Sequence, residues 1–176
     1  MDNALLSNKS HEWYTPKHII DMVLEVFPCI DFDPFSSEEA NKTVGATQFF
    51  TKNDDAFSME WPDVDYAFVN PPGPVKGDKS TAKNVRRAWD KVLEAAFTSD
   101  TIWVGFSLEQ LATLQDSAES PLDYTTVILR NRVKFMGAGT SPTHSNYITL
   151  VSLSEELRDT FIRVFSRIGQ VASVRN

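Results

Sequence analysis

Asn70-Pro71-Pro72-Gly73 closes the apolar run Asp65-Tyr66-Ala67-Phe68-Val69. Its residue types suit a grip on a planar amino group. Proline holds φ at about −65° and has no N–H, so Pro71 and Pro72 cannot bond back into a sheet. The residue before a proline is pushed towards extended backbone. Asn70 therefore leaves its strand stiffly. Its amide oxygen can accept one amino hydrogen, and a proline carbonyl the other. Asn70, Pro71 and Pro72 are the candidate catalytic residues; an ordinary proline-rich turn is the alternative.

A second acidic segment lies upstream. Cys29-Ile30 leads into Asp31-Phe32-Asp33-Pro34-Phe35-Ser36-Ser37, which reads as the first strand of an open α/β sheet and the loop after it. Ligands of such sheets sit beyond the strand carboxyl ends. Carboxylates there, Asp31 or Asp33, can accept from a ligand's hydroxyl or ammonium group. Asn53-Asp54-Asp55-Ala56-Phe57 is a further candidate. Asp55 can accept from an adenine amino group while Phe57 packs on the ring, and the same residues also spell a simple turn.

Together these motifs carry a likeness. Glu12-Trp13-Tyr14-Thr15-Pro16, Asp31-Phe32-Asp33-Pro34, Glu39-Ala40-Asn41-Lys42, Trp61, Asn70-Pro71-Pro72-Gly73 and the stretch Arg130-Asn131-Arg132-Val133-Lys134-Phe135-Met136-Gly137 stand in this order. The chain thereby resembles the phage DNA N6-adenine methyltransferase (phage Dam-like) family from about residue 12 to 153. The resemblance implies an S-adenosylmethionine-dependent enzyme acting on the exocyclic nitrogen of adenine in DNA. It places Trp13, Tyr14, Thr15, Pro16, Asp31, Asp33, Pro34, Phe35, Asp55 and Phe57 around the cofactor. Two departures stand out. Gly73 occupies the place where amino-methyltransferases usually carry an aromatic residue, and the loop Phe35-Ser36-Ser37 lacks glycines. Methylation of a protein amide or of RNA, and a catalytically silent cofactor- or DNA-binding module, are the rival readings.

At 176 residues the chain has the length of one domain, with an arm at 1–11, a methyltransferase-like domain at 12–176 and no separate target-recognition domain. The net charge of −7 opposes nucleic-acid binding in bulk, since phosphate contacts dominate such affinity. Local charge runs the other way. Lys76, Lys79, Lys83, Arg86, Arg87 and Lys91 follow the Asn-Pro-Pro loop against only Asp78 and Asp90. A second basic run, Arg130, Arg132 and Lys134, alternates as a strand would and points all three from one face. Of these, Lys76, Lys79, Lys83, Arg86, Arg87, Arg130 and Arg132 are the candidate DNA contacts; a solvated helix face and a charged edge strand are the alternatives. Cys29 is expected as a buried thiol, and no disulfide framework exists. His11, His18 and His144 are scattered, so no metal is expected. Ser107 sits in no nucleophile elbow and the glycines in no phosphate-binding loop. No run reaches transmembrane length, and a soluble protein of the cytoplasm, the host's if phage-encoded, is expected.

The elements that must position these residues alternate. Apolar spacing predicts helices over 16–27, with Thr15 as cap and Pro16 in the first turn, over 37–44 capped by Ser36 or Ser37, over 84–97, 108–115 and 155–168. Strands are expected at 29–33, 47–51, 66–70, 101–106, 125–130 and 147–153, with loops at 76–82 and 137–146. The alternation predicts a Rossmann-like α/β fold: a mostly parallel sheet, its last two strands open to an antiparallel sense, with helices on both faces.

Overall fold

The computed structural model describes residues 13–72, 81–136 and 144–175. The arm at 1–11, Glu12, Gly73, Lys76, Lys79 and the loop residues 137–143 lie outside the described residues.

The elements follow as α1 (Lys17–Val26), β1 (Phe32–Asp33), α2 (Glu38–Val44), β2 (Gln48–Phe49), β3 (Tyr66–Val69), α3 (Thr81–Ala95), β4 (Asp100–Gly105), α4 (Leu108–Leu114), a 3-10 turn (Pro121–Asp123), β5 (Thr125–Leu129), β6 (Tyr147–Val151), α5 (Glu155–Phe165) and β7 (Gly169–Ser173). They build a 7-stranded sheet in the order β2-β1-β3-β4-β6-β5-β7. The neighbours from β2 to β4 pair in parallel. Those from β4 to β7 pair antiparallel, so the sheet is mixed and the expectation of a mostly parallel one is corrected. The connections explain the change. Among the described residues no helix joins β5 to β6, and without a crossover neighbouring strands run antiparallel. β6 slots between β4 and β5, and α5 then carries the chain across β5 to lay β7 on the outer edge.

Side chains alternate between two cores, as the period of a strand requires. Phe68, Ile102, Val104, Ile148 and Leu150 face one core with α1 and α5. Val69, Trp103, Tyr147 and Val151 face the other with the α3 stripe Val85, Ala88, Trp89 and Val92 and with Leu111 and Leu114 of α4. At Gly105 a Cβ would stand 2.0 Å from the Tyr147 ring. That ring is fully buried, so only glycine permits the approach.

Local capping fixes the helix starts. The Ser37 hydroxyl accepts the Ala40 N–H at 3.1 Å and Gly45 ends α2 with φ 68, the left-handed conformation glycine adopts freely. Ser107 and Ser154 cap α4 and α5 in the same way. For α1 the sequence expectation is off by one residue. Pro16 is the N-cap, its carbonyl accepting from Ile19 at 3.0 Å, and no side chain caps the helix. Cys29 is exposed rather than buried. Its thiol donates to Asp31 Oδ1 at 3.2 Å, and that bond is the main cause holding its pKa above the usual thiol value. No helix among the described residues is long and apolar enough to cross a membrane.

Candidate active site

A cavity of about 490 Å³ opens beyond the carboxyl ends of β1 and β3. Four stretches of chain line it: Trp13 to Thr15, Asp33 to Ser37 with Ala40 and Val44, Thr51 to Phe57, and Asn70 to Pro72 with Phe68 beneath.

The Trp13–Thr15 wall is held from behind. Tyr14 and Met136 form an isolated antiparallel bridge with N–H to O distances of 3.0 and 2.9 Å, and the Trp13 ring meets Phe106 edge-on at 5.2 Å. Asn70 Nδ2 donates to the Trp13 carbonyl at 2.9 Å. That bond fixes the amide plane, and Oδ1 remains as its acceptor end at the cavity rim.

The two strand-end acids part company. Asp33, at the end of β1, is 2% exposed and lines the cavity. Burial pushes its carboxyl up to about 7, while the Phe35 N–H it accepts at 3.1 Å pulls the other way. Asp31 lies before β1 and outside the cavity lining. Its Oδ2 accepts the Tyr66 N–H at 3.0 Å, tying β1 to β3. Pro16, committed to capping α1, is likewise no part of the lining. The lining thus gathers Trp13, Tyr14, Thr15, Asp33, Pro34, Phe35, Asp55 and Phe57 and does not include Asp31 or Pro16. On the same lining the Thr15 hydroxyl is buried with no hydrogen-bond partner, and the Ser36 hydroxyl, near Asp33 but outside normal hydrogen-bond geometry, also pulls the Asp33 pKa down.

Across the cavity the loop from Thr51 to Ser58 is closed by its own acids. Asp54 Oδ2 accepts from the Thr51 N–H at 2.8 Å and its hydroxyl at 2.9 Å, bonds that lower the Asp54 pKa. Asp55 accepts from the Ser58 hydroxyl at 2.5 Å and the Phe57 N–H at 3.2 Å, and the Ser58 bond is the main cause lowering its pKa. Phe57 packs on Phe35 at 5.2 Å. Trp61 backs Phe35 and donates its indole N–H to the Ala56 carbonyl. Thr51 and Ser36 line the cavity but escaped the sequence reading as candidates, because Thr-Lys-Asn-Asp and Ser-Ser read as turn and cap chemistry alone.

The basic candidates divide. Lys83 is exposed, and Arg86 makes a loose 3.3 Å pair with Asp116. Arg87 lays its guanidinium 4.4 Å over the Phe57 ring. The run 130–136 is not a strand, although its alternation holds: Val133 and Phe135 are buried, and Arg130, Arg132 and Lys134 exposed. Arg130 donates to the carbonyls of Ser166, Arg167 and Gly169 at 3.1 to 3.3 Å, closing the end of α5. Among the described residues no three His, Cys, Asp or Glu side chains gather to hold a metal ion.

No curated protein sequence matches the chain, and no solved structure does. Residues 3–168 match the family described as DNA N-6-adenine-methyltransferase (Dam). That span takes in every segment around the cavity and the amide at its rim. On this match the chain belongs to the DNA N-6-adenine-methyltransferase (Dam) family, enzymes that place a methyl group on N6 of adenine in DNA.

Proposed function

We propose that the cavity takes S-adenosylmethionine, that Asn70, Pro71 and Pro72 hold the N6 amino group of the target adenine at its rim, and that residues 12–176 form a single Rossmann-like domain. All seven strands belong to one sheet, which supports the last point. The residues present fit the cofactor. The volume of about 490 Å³ falls within the usual few hundred to a thousand Å³ of small-molecule sites. The buried Thr15 hydroxyl without a partner, lining the same cavity as the Asp33 carboxyl, suits an amino-acid end. The Phe35 and Phe57 rings, with Trp61 behind Phe35, suit a flat heterocycle, with Asp55 alongside. When bound, S-adenosylmethionine supplies an electrophilic methyl group on a sulfonium centre.

The observation that carries the reading is the Asn70 Nδ2 bond to the Trp13 carbonyl. It leaves Oδ1 held in place to accept one N6 hydrogen, with a proline carbonyl for the other. Adenine's amino lone pair is delocalised into its ring. Two acceptors on its hydrogens favour a pyramidal nitrogen with the lone pair localised for attack, so positioning and preorganised electrostatics supply the rate. The base must leave the duplex stack to be held this way. Lys83, Arg86 and Arg132, with Lys76 and Lys79, are assigned to the DNA phosphates. Arg87 is assigned to the cavity wall and Arg130 to the end of α5.

Asn70→Ala tests the reading. Turnover on DNA should fall on the order of a hundredfold, with S-adenosylmethionine affinity by titration calorimetry unchanged. Parental turnover in that variant removes Asn70 from the chemistry.

A further inference from the structure

Asn70-Pro71-Pro72 offers the adenine chiefly acceptors, an amide oxygen and carbonyls, because Asn70 Nδ2 is turned to the Trp13 carbonyl. The ring nitrogens of adenine are acceptors too, and two prolines have no N–H to give them. A donor for a ring nitrogen is therefore sought on a neighbouring element.

Gln110, the third residue of α4, is 7% exposed. Its Oε1 accepts the Phe106 N–H at 2.9 Å, so its Nε2 end is fixed in direction. Nε2 is buried and has no hydrogen-bond partner. The location of this amide follows from the backbone. Asn146, immediately before β6, donates to the Gly105 carbonyl at 3.4 Å and the Phe106 carbonyl at 2.5 Å, so the Gly105 carbonyl points to the β6 side of β4. The peptide that follows is trans, as all are among the described residues. In a trans peptide the N–H points opposite to the C=O. The Phe106 N–H, and with it the Gln110 amide, therefore lies on the β3 side. β3 pairs with β4 up to Val69 against Trp103, and there Asn70-Pro71-Pro72 leaves the sheet beside the last residues of β4.

We propose that Gln110 Nε2 donates to a ring nitrogen of the extruded adenine while Asn70 holds its amino group, making Gln110 a specificity-determining residue for the base. The proposal rests on the Asn70 reading above. A buried NH2 left unmatched opposes folding, and a base acceptor resolves that cost at the moment of binding. A base without an acceptor at that position leaves the donor unmatched and is disfavoured.

Gln110→Glu keeps the oxygen that holds the Phe106 N–H and removes only the donor. At alkaline pH the acid so introduced is ionised and gives no hydrogen. Methylation rates are compared on DNA carrying adenine, 1-deazaadenine, 3-deazaadenine or 7-deazaadenine at the methylated positions. Each analogue keeps the N6 amino group and lacks one ring acceptor. Cofactor affinity reports that the variant is folded. The parent should lose about tenfold or more on one analogue. Gln110→Glu should lose a similar factor on adenine and nothing further on that analogue, a non-additivity that a merely structural role does not produce. Indifference of the parent to all three analogues overturns the assignment, as does a full extra loss in the variant, and in both cases the Asn70 reading survives. A parent that methylates no adenine-containing DNA overturns both.

Discussion

Asp33→Asn gives the most quantitative test of the cavity's electrostatics. The Asp33 carboxyl is buried at the end of β1 and pushed up to about 7 from 3.8. In the unfolded chain it ionises above about pH 4. Between these values the folded protein holds a proton that the unfolded chain has released, so stability falls as pH rises. At about 1.4 kcal/mol per pH unit, the interval amounts to ~4 kcal/mol. The contribution is fully present below about pH 4, declines through the window and is gone above about pH 7. Asn carries no charge to desolvate, and its Oδ1 can still accept the Phe35 N–H. Urea unfolding of parent and variant across this range gives the difference directly, since every other acid titrates in both and cancels. The parent should lose ~4 kcal/mol relative to Asp33→Asn between about pH 4 and 7. A difference that stays flat to within about 1 kcal/mol refutes the argument that burial controls this carboxyl.

Arg87→Ala removes the guanidinium from the Phe57 ring and should weaken S-adenosylmethionine binding by about two- to fivefold; unchanged affinity by calorimetry would assign the loop's order to Asp54, Asp55 and Trp61 alone. Neutralising Lys83 and Arg86 together should reduce the salt dependence of DNA affinity by roughly two units of slope, with cofactor affinity unaffected. Unaltered slope in a filter-binding series makes them a solvated helix face.

What the sequence disclosed depended on how local the cause was. The α3 stripe Val85, Ala88, Trp89 and Val92 is written in the helical period and buries as read. Ser37 capping α2 and the Asn70 turn are equally local. Asp31 and Asp33 are two residues apart around the start of one short strand, and nothing nearby in sequence says which of them reaches the cavity. Asp31 is claimed by Tyr66, 35 positions away. Arg130 shows only its charge in sequence, while the carbonyls that take it are 36 to 39 positions on. The insertion of β6 between β4 and β5 is a matter of partner choice, which strand composition does not specify. β7, with Gln170 and Ala172 exposed, carries too weak an apolar alternation to declare itself as an edge strand.

The bridge between Tyr14 and Met136 also bears on how the protein comes into being. Chain leaves the ribosome amino end first, so Trp13 emerges before its support, Phe106 and the bridge at Met136. Until about residue 136 has emerged, the carbonyl that holds Asn70 has no fixed position. α1 waits longer still, since it packs against α5 and Glu25 pairs with Arg167. A nascent chain holding every cavity residue would still lack the wall that shapes the pocket, so methyl transfer should begin only once the chain has been made through α5.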